Sequence, residues 1–146
     1  MLTLVGPSGI GKTRLALEAV KPVMIQYQQG TYFIALALVK QRLGGLAMAM
    51  GQTQLGIQFA EESLHLRREI GNAIEIAAGL YSLAIRKISV VQHQQAVDLL
   101  TECIALYENS ITYELPYAML GWAQMLMGDY VLGHQNAQYA FEMNQE

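Results

Sequence analysis

Charge is scarce in this chain. Lys, Arg, Asp and Glu together make up 14% of its 146 residues, against about 25% in an ordinary soluble domain. A surface so poor in charge implies that some apolar area meets a partner or further protein. There is one cysteine, Cys103, so no disulfide can form within the chain; its place in a helical apolar pattern suits a small core residue. No basic run occurs and the net charge is −3, which argues against a nucleic-acid footprint. No apolar run approaches the roughly 20 residues that span a bilayer, because Lys40, Gln41 and Arg42 interrupt the longest one. Met1-Leu2-Thr3 carries no basic leader of the signal-peptide kind. These absences lead us to expect a cytoplasmic protein that binds neither nucleic acid nor membrane.

Against that background one stretch stands out: Gly6, Pro7, Ser8, Gly9, Ile10, Gly11, Lys12 and Thr13. A Gly, four residues, then Gly-Lys-Thr is the P-loop (Walker A) spacing. Leu2-Thr3-Leu4-Val5 before it reads as a short buried strand, and Arg14-Leu15-Ala16-Leu17-Glu18-Ala19-Val20 after it as a helix. The spacing has a chemical reason. Glycines let the backbone turn tightly, successive N–H groups then form a nest for phosphate oxygens, and the positive end of the helix dipole faces the anion. In that arrangement Lys12 reaches the β- and γ-phosphates of ATP, and the Thr13 hydroxyl holds Mg²⁺. A glycine-rich turn that binds nothing is the alternative.

Lys21-Pro22 closes the helix, since proline disfavours helical geometry in the residue before it. Two readings of the next stretch compete. Thr31-Tyr32-Phe33-Ile34 is β-branched and aromatic and suits a second parallel strand. Ala35-Leu36-Ala37-Leu38-Val39 runs on into a helical pattern, which suits a helix from Tyr32 to Met50.

From Gly44 onward the chain repeats. Leu43-Gly44, Leu83-Ala84 and Leu120-Gly121 line up, and 12 positions after each second member stands another small residue: Gly56, Ala96 and Gly133. Seven positions further come Ser63, Cys103 and Ala140. The units are offset by 40 residues (96 − 56) and then 37 (133 − 96). Small residues at fixed spacing let two helix axes approach closely, which is the tetratricopeptide pattern of helix–turn–helix units. Helix A is predicted near 38–50, 74–90 and 113–127, and helix B near 54–70, 94–108 and 131–144. Gly51-Gln52 and Gly128-Asp129-Tyr130 signal turns, whereas Val91-Gln92-His93 in the middle unit does not. Gly71-Asn72 and Asn109-Ser110 separate the units, and Pro116 fits a first helical turn. Glu61-Glu62 and Arg67-Arg68-Glu69 read as a solvated, ion-paired helix face. His65, His93 and His134 lack Cys or carboxylates at ligand spacing and read as surface or packing residues. Met48, Met50, Met119, Met125 and Met127 read as repeat core, with a pliable binding surface as the alternative.

A P-loop followed by long tetratricopeptide units resembles the bacterial STAND-type signalling NTPases. The resemblance is carried by residues 2–20, by Gly30-Thr31-Tyr32-Phe33-Ile34-Ala35-Leu36-Ala37 (similar to that family's second core strand), and by Glu61-Glu62-Ser63-Leu64-His65-Leu66-Arg67-Arg68-Glu69-Ile70-Gly71 (similar to its repeat helix B and exit). It implies an ATP-dependent regulator in signal transduction or transcription whose repeats bind a protein partner, with Lys12 and Thr13 as phosphate and Mg²⁺ residues. The departure is large. That family's nucleotide core spans well over a hundred residues, whereas here the repeats begin by about residue 43. The Asp that would orient water is also missing: Asp98 and Asp129 are the two Asp of the chain, and both fall in the repeat register. Catalysis is therefore not expected.

The sequence thus leads to a mainly α chain: residues 1–39 a truncated P-loop β-α(-β) segment, and residues 40–146 three tetratricopeptide-like hairpins in a short solenoid. Its expected function is regulatory protein–protein interaction coupled to binding of ATP with Mg²⁺. The alternatives are an interaction module with a vestigial P-loop, or a fragment held together only by self-association. A homo-oligomer through the end of the array is expected, because no polar capping helix follows Glu142.

Overall fold

A computed structural model describes residues 30–107 and 114–145. Described in it are six α-helices: α1 (Gly30–Ala49), α2 (Thr53–Ile70), α3 (Ala73–Ser89), α4 (His93–Tyr107), α5 (Glu114–Leu126) and α6 (Tyr130–Met143). Strands are absent among the described residues. The helices pair as antiparallel hairpins, α1–α2, α3–α4 and α5–α6, and neighbouring hairpins meet through α2–α3 and α4–α5. The odd-numbered helices also approach one another in turn.

Apolar spacing accounts for the central helices. In α2 the residues Ile57, Ala60 and Leu64 recur every three or four positions; in α3 Ala77, Leu80, Leu83 and Ala84 do the same. They meet in one cluster that also takes Cys103 from α4. A second cluster joins Ala84 and Ile88 of α3, Ala96, Leu100 and Ile104 of α4, and Leu120 and Ala123 of α5. Leu80 and Leu100 are wholly buried, each stabilising the fold by about 2 kcal/mol. The caps are local chemistry. The Asn72 side chain accepts hydrogen bonds from the backbone N–H of Ile74 and Glu75 at the start of α3, and Asp129 accepts from Leu132 N–H at the start of α6. Pro116 lies in the first turn of α5, where no intrahelical donor is lost.

The small residues sit at the closest approaches of the helices. A Cβ added to Gly44 would stand 2.9 Å from the Gly56 carbonyl oxygen, and one on Gly121 would stand 2.6 Å from that of Gly133. Ala84 and Ala96, their counterparts in the middle hairpin, are fully buried. Two turns further, the Ser63 hydroxyl donates to Ala37 O at 2.7 Å and the Cys103 thiol to Ala77 O at 3.3 Å. Both bonds run from the second helix of a hairpin to a carbonyl 26 residues earlier in the first.

The three hairpin turns share one hydrogen-bond pattern. Gly51 N–H bonds Met48 O and Gln52 N–H bonds Ala47 O; Val91 and Gln92 repeat this on Ile88 and Lys87, and Gly128 and Asp129 on Met125 and Gln124. This is the Schellman end, which needs one residue in the left-handed region. Gly51 (φ 76°), Val91 (φ 64°) and Gly128 (φ 89°) supply it. The middle unit therefore makes the same turn as its neighbours without the glycine that signals it.

One of the two expectations for residues 31–34 is overturned. The stretch is helical, not a second strand, and α1 begins at Gly30. Packing decides this: Ala37 is fully buried and its carbonyl takes the Ser63 hydroxyl of α2, a contact that fixes the helix from its middle. The P-loop and the strand before it lie outside the described residues, and α1 runs across residues 39 and 40, where the sequence reading divides the chain. The stretch Tyr32–Ala49 is long and apolar enough, by length and composition, to cross a membrane, with a mean hydropathy of 1.2. Lys40 and Arg42 nevertheless lie near its centre, and Ala37, Gly44 and Ala47 are buried.

Candidate protein-interaction surface

All eight residues of the expected nucleotide loop (Gly6, Pro7, Ser8, Gly9, Ile10, Gly11, Lys12, Thr13) lie outside the described residues. What the structure does place is the surface of the helical array.

The repeat offsets set Gly45, Ile85 and Trp122 at one level of α1, α3 and α5. All three are exposed, Trp122 to 48%. Leu38, Ala78 and Leu115 stand at a second level, with Leu38 and Leu115 exposed. Large apolar side chains therefore recur along the face made by the odd-numbered helices. No folding contact requires them there, since the buried residues of α3 and α5 lie on other faces. Tyr117 of α5 stacks edge-on against Tyr139 of α6, with ring centroids 4.8 Å apart, and stiffens this end of the array.

Beside the α1–α3 seam lies a cationic cluster. Arg67, 1% exposed, donates from Nε to Ser63 Oγ, from Nη1 to the backbone oxygen of Glu75 at 3.2 Å and to its carboxylate, and from Nη2 to Gln41 Oε1 at 2.8 Å. Arg86 donates from Nη1 to Ser82 O and Oγ, and from Nη2 to the backbone oxygen of Gln41 at 3.0 Å. Its Nε is buried with no hydrogen-bond partner. Burial lowers the Arg86 pKa, because a half-buried guanidinium loses hydration. Among the described residues Lys40 pairs with Glu62, Arg67 with Glu75, Arg68 with Glu102 and Lys87 with Glu61. Arg86 is held by neutral oxygens instead.

This corrects the reading of residues 61–69 as one solvated face with pairs inside the helix. Arg67 is interior, and the pairs of Glu61, Glu62 and Arg68 reach other helices. His65 with Glu69 is the pair at helical spacing. Position 67 is one turn beyond Ser63, so it inherits the packing face. The same spacing recurs at Ser82 and Arg86 and could have signalled both arginines: a serine at a packing position followed four residues later by arginine. The methionines divide. Met48 and Met125 lie over Gly56 and Gly133, whereas Met50 and Met127 are exposed.

Chemically, this surface can hold an apolar segment, while the guanidinium groups of Arg67 and Arg86 are engaged inside the array. Among the described residues no three His, Cys, Asp or Glu side chains converge on a metal-sized site. Cys103 is buried, and its thiol pKa is pushed up to about 11 chiefly by loss of solvent, which makes it a packing residue with no thiolate at neutral pH. Comparison with protein-family models gives no match, and comparison with curated proteins gives none either.

Proposed function

We propose that this chain is a tetratricopeptide-like protein-interaction module of three repeats, in the lineage of STAND-type regulators. The observation that carries the reading is the threefold recurrence of one hairpin. The small-residue contact and the left-handed turn recur at offsets of 40 and 37, and the first two hairpins also share the bond from Ser63 or Cys103 to a carbonyl 26 residues earlier, where the third has Ala140. Such units bury their faces only by stacking, so the array presents a long row of equivalent positions to a partner. Here that row is Gly45, Ile85 and Trp122, with Leu38 and Leu115 beside it. The partner is a protein segment with apolar side chains. Affinity capture with wild type and with Ile85→Ser/Trp122→Ser is the test: the double variant should keep its helix content and lose at least one protein that wild type retains. An unchanged set of captured proteins would refute it.

A second reading concerns the front of the chain, and the motif from Gly6 to Thr13 is the observation that favours it. The loop binds ATP with Mg²⁺ through Lys12 and Thr13, without hydrolysis, and so ties nucleotide to the repeats. Calorimetric titration of Mg-ATP into wild type and Lys12→Ala tests this. Saturable binding lost in the variant supports the reading. No heat at millimolar nucleotide leaves an interaction module with a vestigial loop.

A further inference from the structure

We propose that copies of this chain associate head to tail, the outer face of α6 in one copy docking on the outer face of α1 in the next. The inference rests on the repeat reading above and is independent of nucleotide binding.

Two seams inside the molecule, α2 on α3 and α4 on α5, set the pattern. At each, the second helix of one hairpin lays an apolar side chain on the first helix of the next. Leu64 of α2 is 6% exposed and Ile104 of α4 is 8% exposed. The same offsets (104 − 64 and 141 − 104) carry that position to Phe141 of α6, which is 65% exposed. The receiving side behaves alike. Leu83 of α3 and Leu120 of α5 are buried, while Leu43, their counterpart on α1, is 40% exposed. Gly79 and Pro116 are buried, and Val39 at the matching place on α1 is 54% exposed. The molecule thus carries two unmade halves of one kind of seam, a donor face on α6 and an acceptor face on α1. The acceptor face even holds a shallow recess of about 320 Å³, lined by Leu38, Val39, Arg42, Leu43 and Leu46.

Charge selects which faces meet. No Lys or Arg follows Lys87, whereas Asp98, Glu102, Glu108, Glu114, Asp129, Glu142 and Glu146 do. α1 contains Lys40 and Arg42 and no acid; α6 with its cap contains Asp129 and Glu142 and no Lys or Arg. Lys40 is already held by Glu62, which leaves Arg42 as the cation that α1 offers, and the opposite sign of the two ends favours approach of α6 to α1 over approach of like ends. A contact between two different faces does not close on itself, so the product is an open chain of molecules or a ring.

Sedimentation of the full chain tests the proposal. Wild type should show a mass rising with concentration from the 16.2 kDa monomer. Leu43→Glu and Phe141→Glu alter exposed residues on opposite faces, and circular dichroism checks that each stays helical; should Phe141→Glu lose helix, Phe141→Ser takes its place. Each variant alone should be monomeric, at least tenfold weaker in association. Mixed in equal amounts they should form a one-to-one dimer and nothing larger, because one keeps its donor face and the other its acceptor face. A wild type monomeric up to about 100 μM, where a micromolar contact is saturated, overturns the proposal and shows the faces covered otherwise, by residues 1–29 or by another protein. Self-association that persists in Leu43→Glu but not in Phe141→Glu, with no rescue on mixing, overturns it in favour of back-to-back pairing. Either failure leaves the repeat reading standing, because that reading is tested by the capture experiment.

Discussion

Val91→Gly is expected to stabilise the protein by about 1 kcal/mol, which makes it an unusual substitution in a helical array. Val91 closes α3 at φ 64°, where a side chain branched at Cβ crowds the following carbonyl. Holding a residue other than glycine there costs roughly 1–3 kcal/mol. The structure sets the opposing terms. Val91 is 76% exposed, so removing its side chain forfeits only about 0.5 kcal/mol of burial. Glycine also gives the unfolded chain more freedom, at about 0.5–1 kcal/mol. The Schellman bonds from Val91 and Gln92 use backbone groups and survive the change. The balance is positive and corresponds to a rise in Tm of roughly 3 °C for a domain of this size. Urea denaturation followed by circular dichroism, with a common slope for both proteins, measures it. Val91→Asn should gain as much, since Asn tolerates this region without the glycine entropy. Gly51→Val, the reverse change at the matching turn, should lose about 1–3 kcal/mol. If Val91→Gly is neutral or destabilising while Gly51→Val is tolerated, the two turns are not equivalent and the reasoning fails.

Three further outcomes are expected. Gly121→Ala should destabilise by about 1–3 kcal/mol, because the new methyl meets the backbone at Gly133 O (2.6 Å) and Ala137 N (2.9 Å), which cannot swing aside as a side chain can; denaturant unfolding measures this, and a neutral result would contradict the close approach of α5 and α6. Arg67→Ala should cost about 3 kcal/mol by leaving the carboxylate of Glu75 and the amide of Gln41 without their partner; Arg67→Met, which keeps the volume of the stem, should cost less, and equal losses would show that the stem's packing contributes nothing there. Cys103 should react with a thiol reagent at pH 8 only as fast as the fold opens, since it is buried and its pKa stands near 11; labelling as fast as in urea would contradict its placement.

How much was legible beforehand depended on what kind of signal each element carried. Gly44 with Gly56 and Gly121 with Gly133 were readable because only small residues permit the approach that the backbone makes. The end of α2 was readable from Gly71, which adopts φ 73°. The turn at Val91 was not, because its left-handed residue is imposed by backbone bonds and neighbouring packing rather than invited by the side chain. The start of α1 was ambiguous because Thr31-Tyr32-Phe33-Ile34 favours strand locally, and the contact of Ala37 with Ser63, 26 residues away, outweighs that preference. Arg67 was misassigned by its charge, although its four-residue distance from Ser63 put it on the buried face. On the candidate surface, the exposed level of Ile85 and Trp122 follows from the same offsets once the helices have fixed bounds; the spacing of Ser82 and Arg86 marks Arg86 as inward, but its bond to Gln41 O, 45 residues away, is not legible in the sequence.

Hydrogen exchange across the full chain, read by mass spectrometry at peptide resolution, tests the central claim of three equivalent stacked hairpins most directly. Slow exchange should fill the spans of α1 to α6, with fast exchange breaking through where the first amides of a helix have no carbonyl partner, at residues 53–55, 72–73, 93–95 and 130–131, and with the middle hairpin, covered on both sides, protected most. Fast exchange through α3 and α4 while the outer hairpins stay protected, or unbroken protection across residues 93–95, would contradict it.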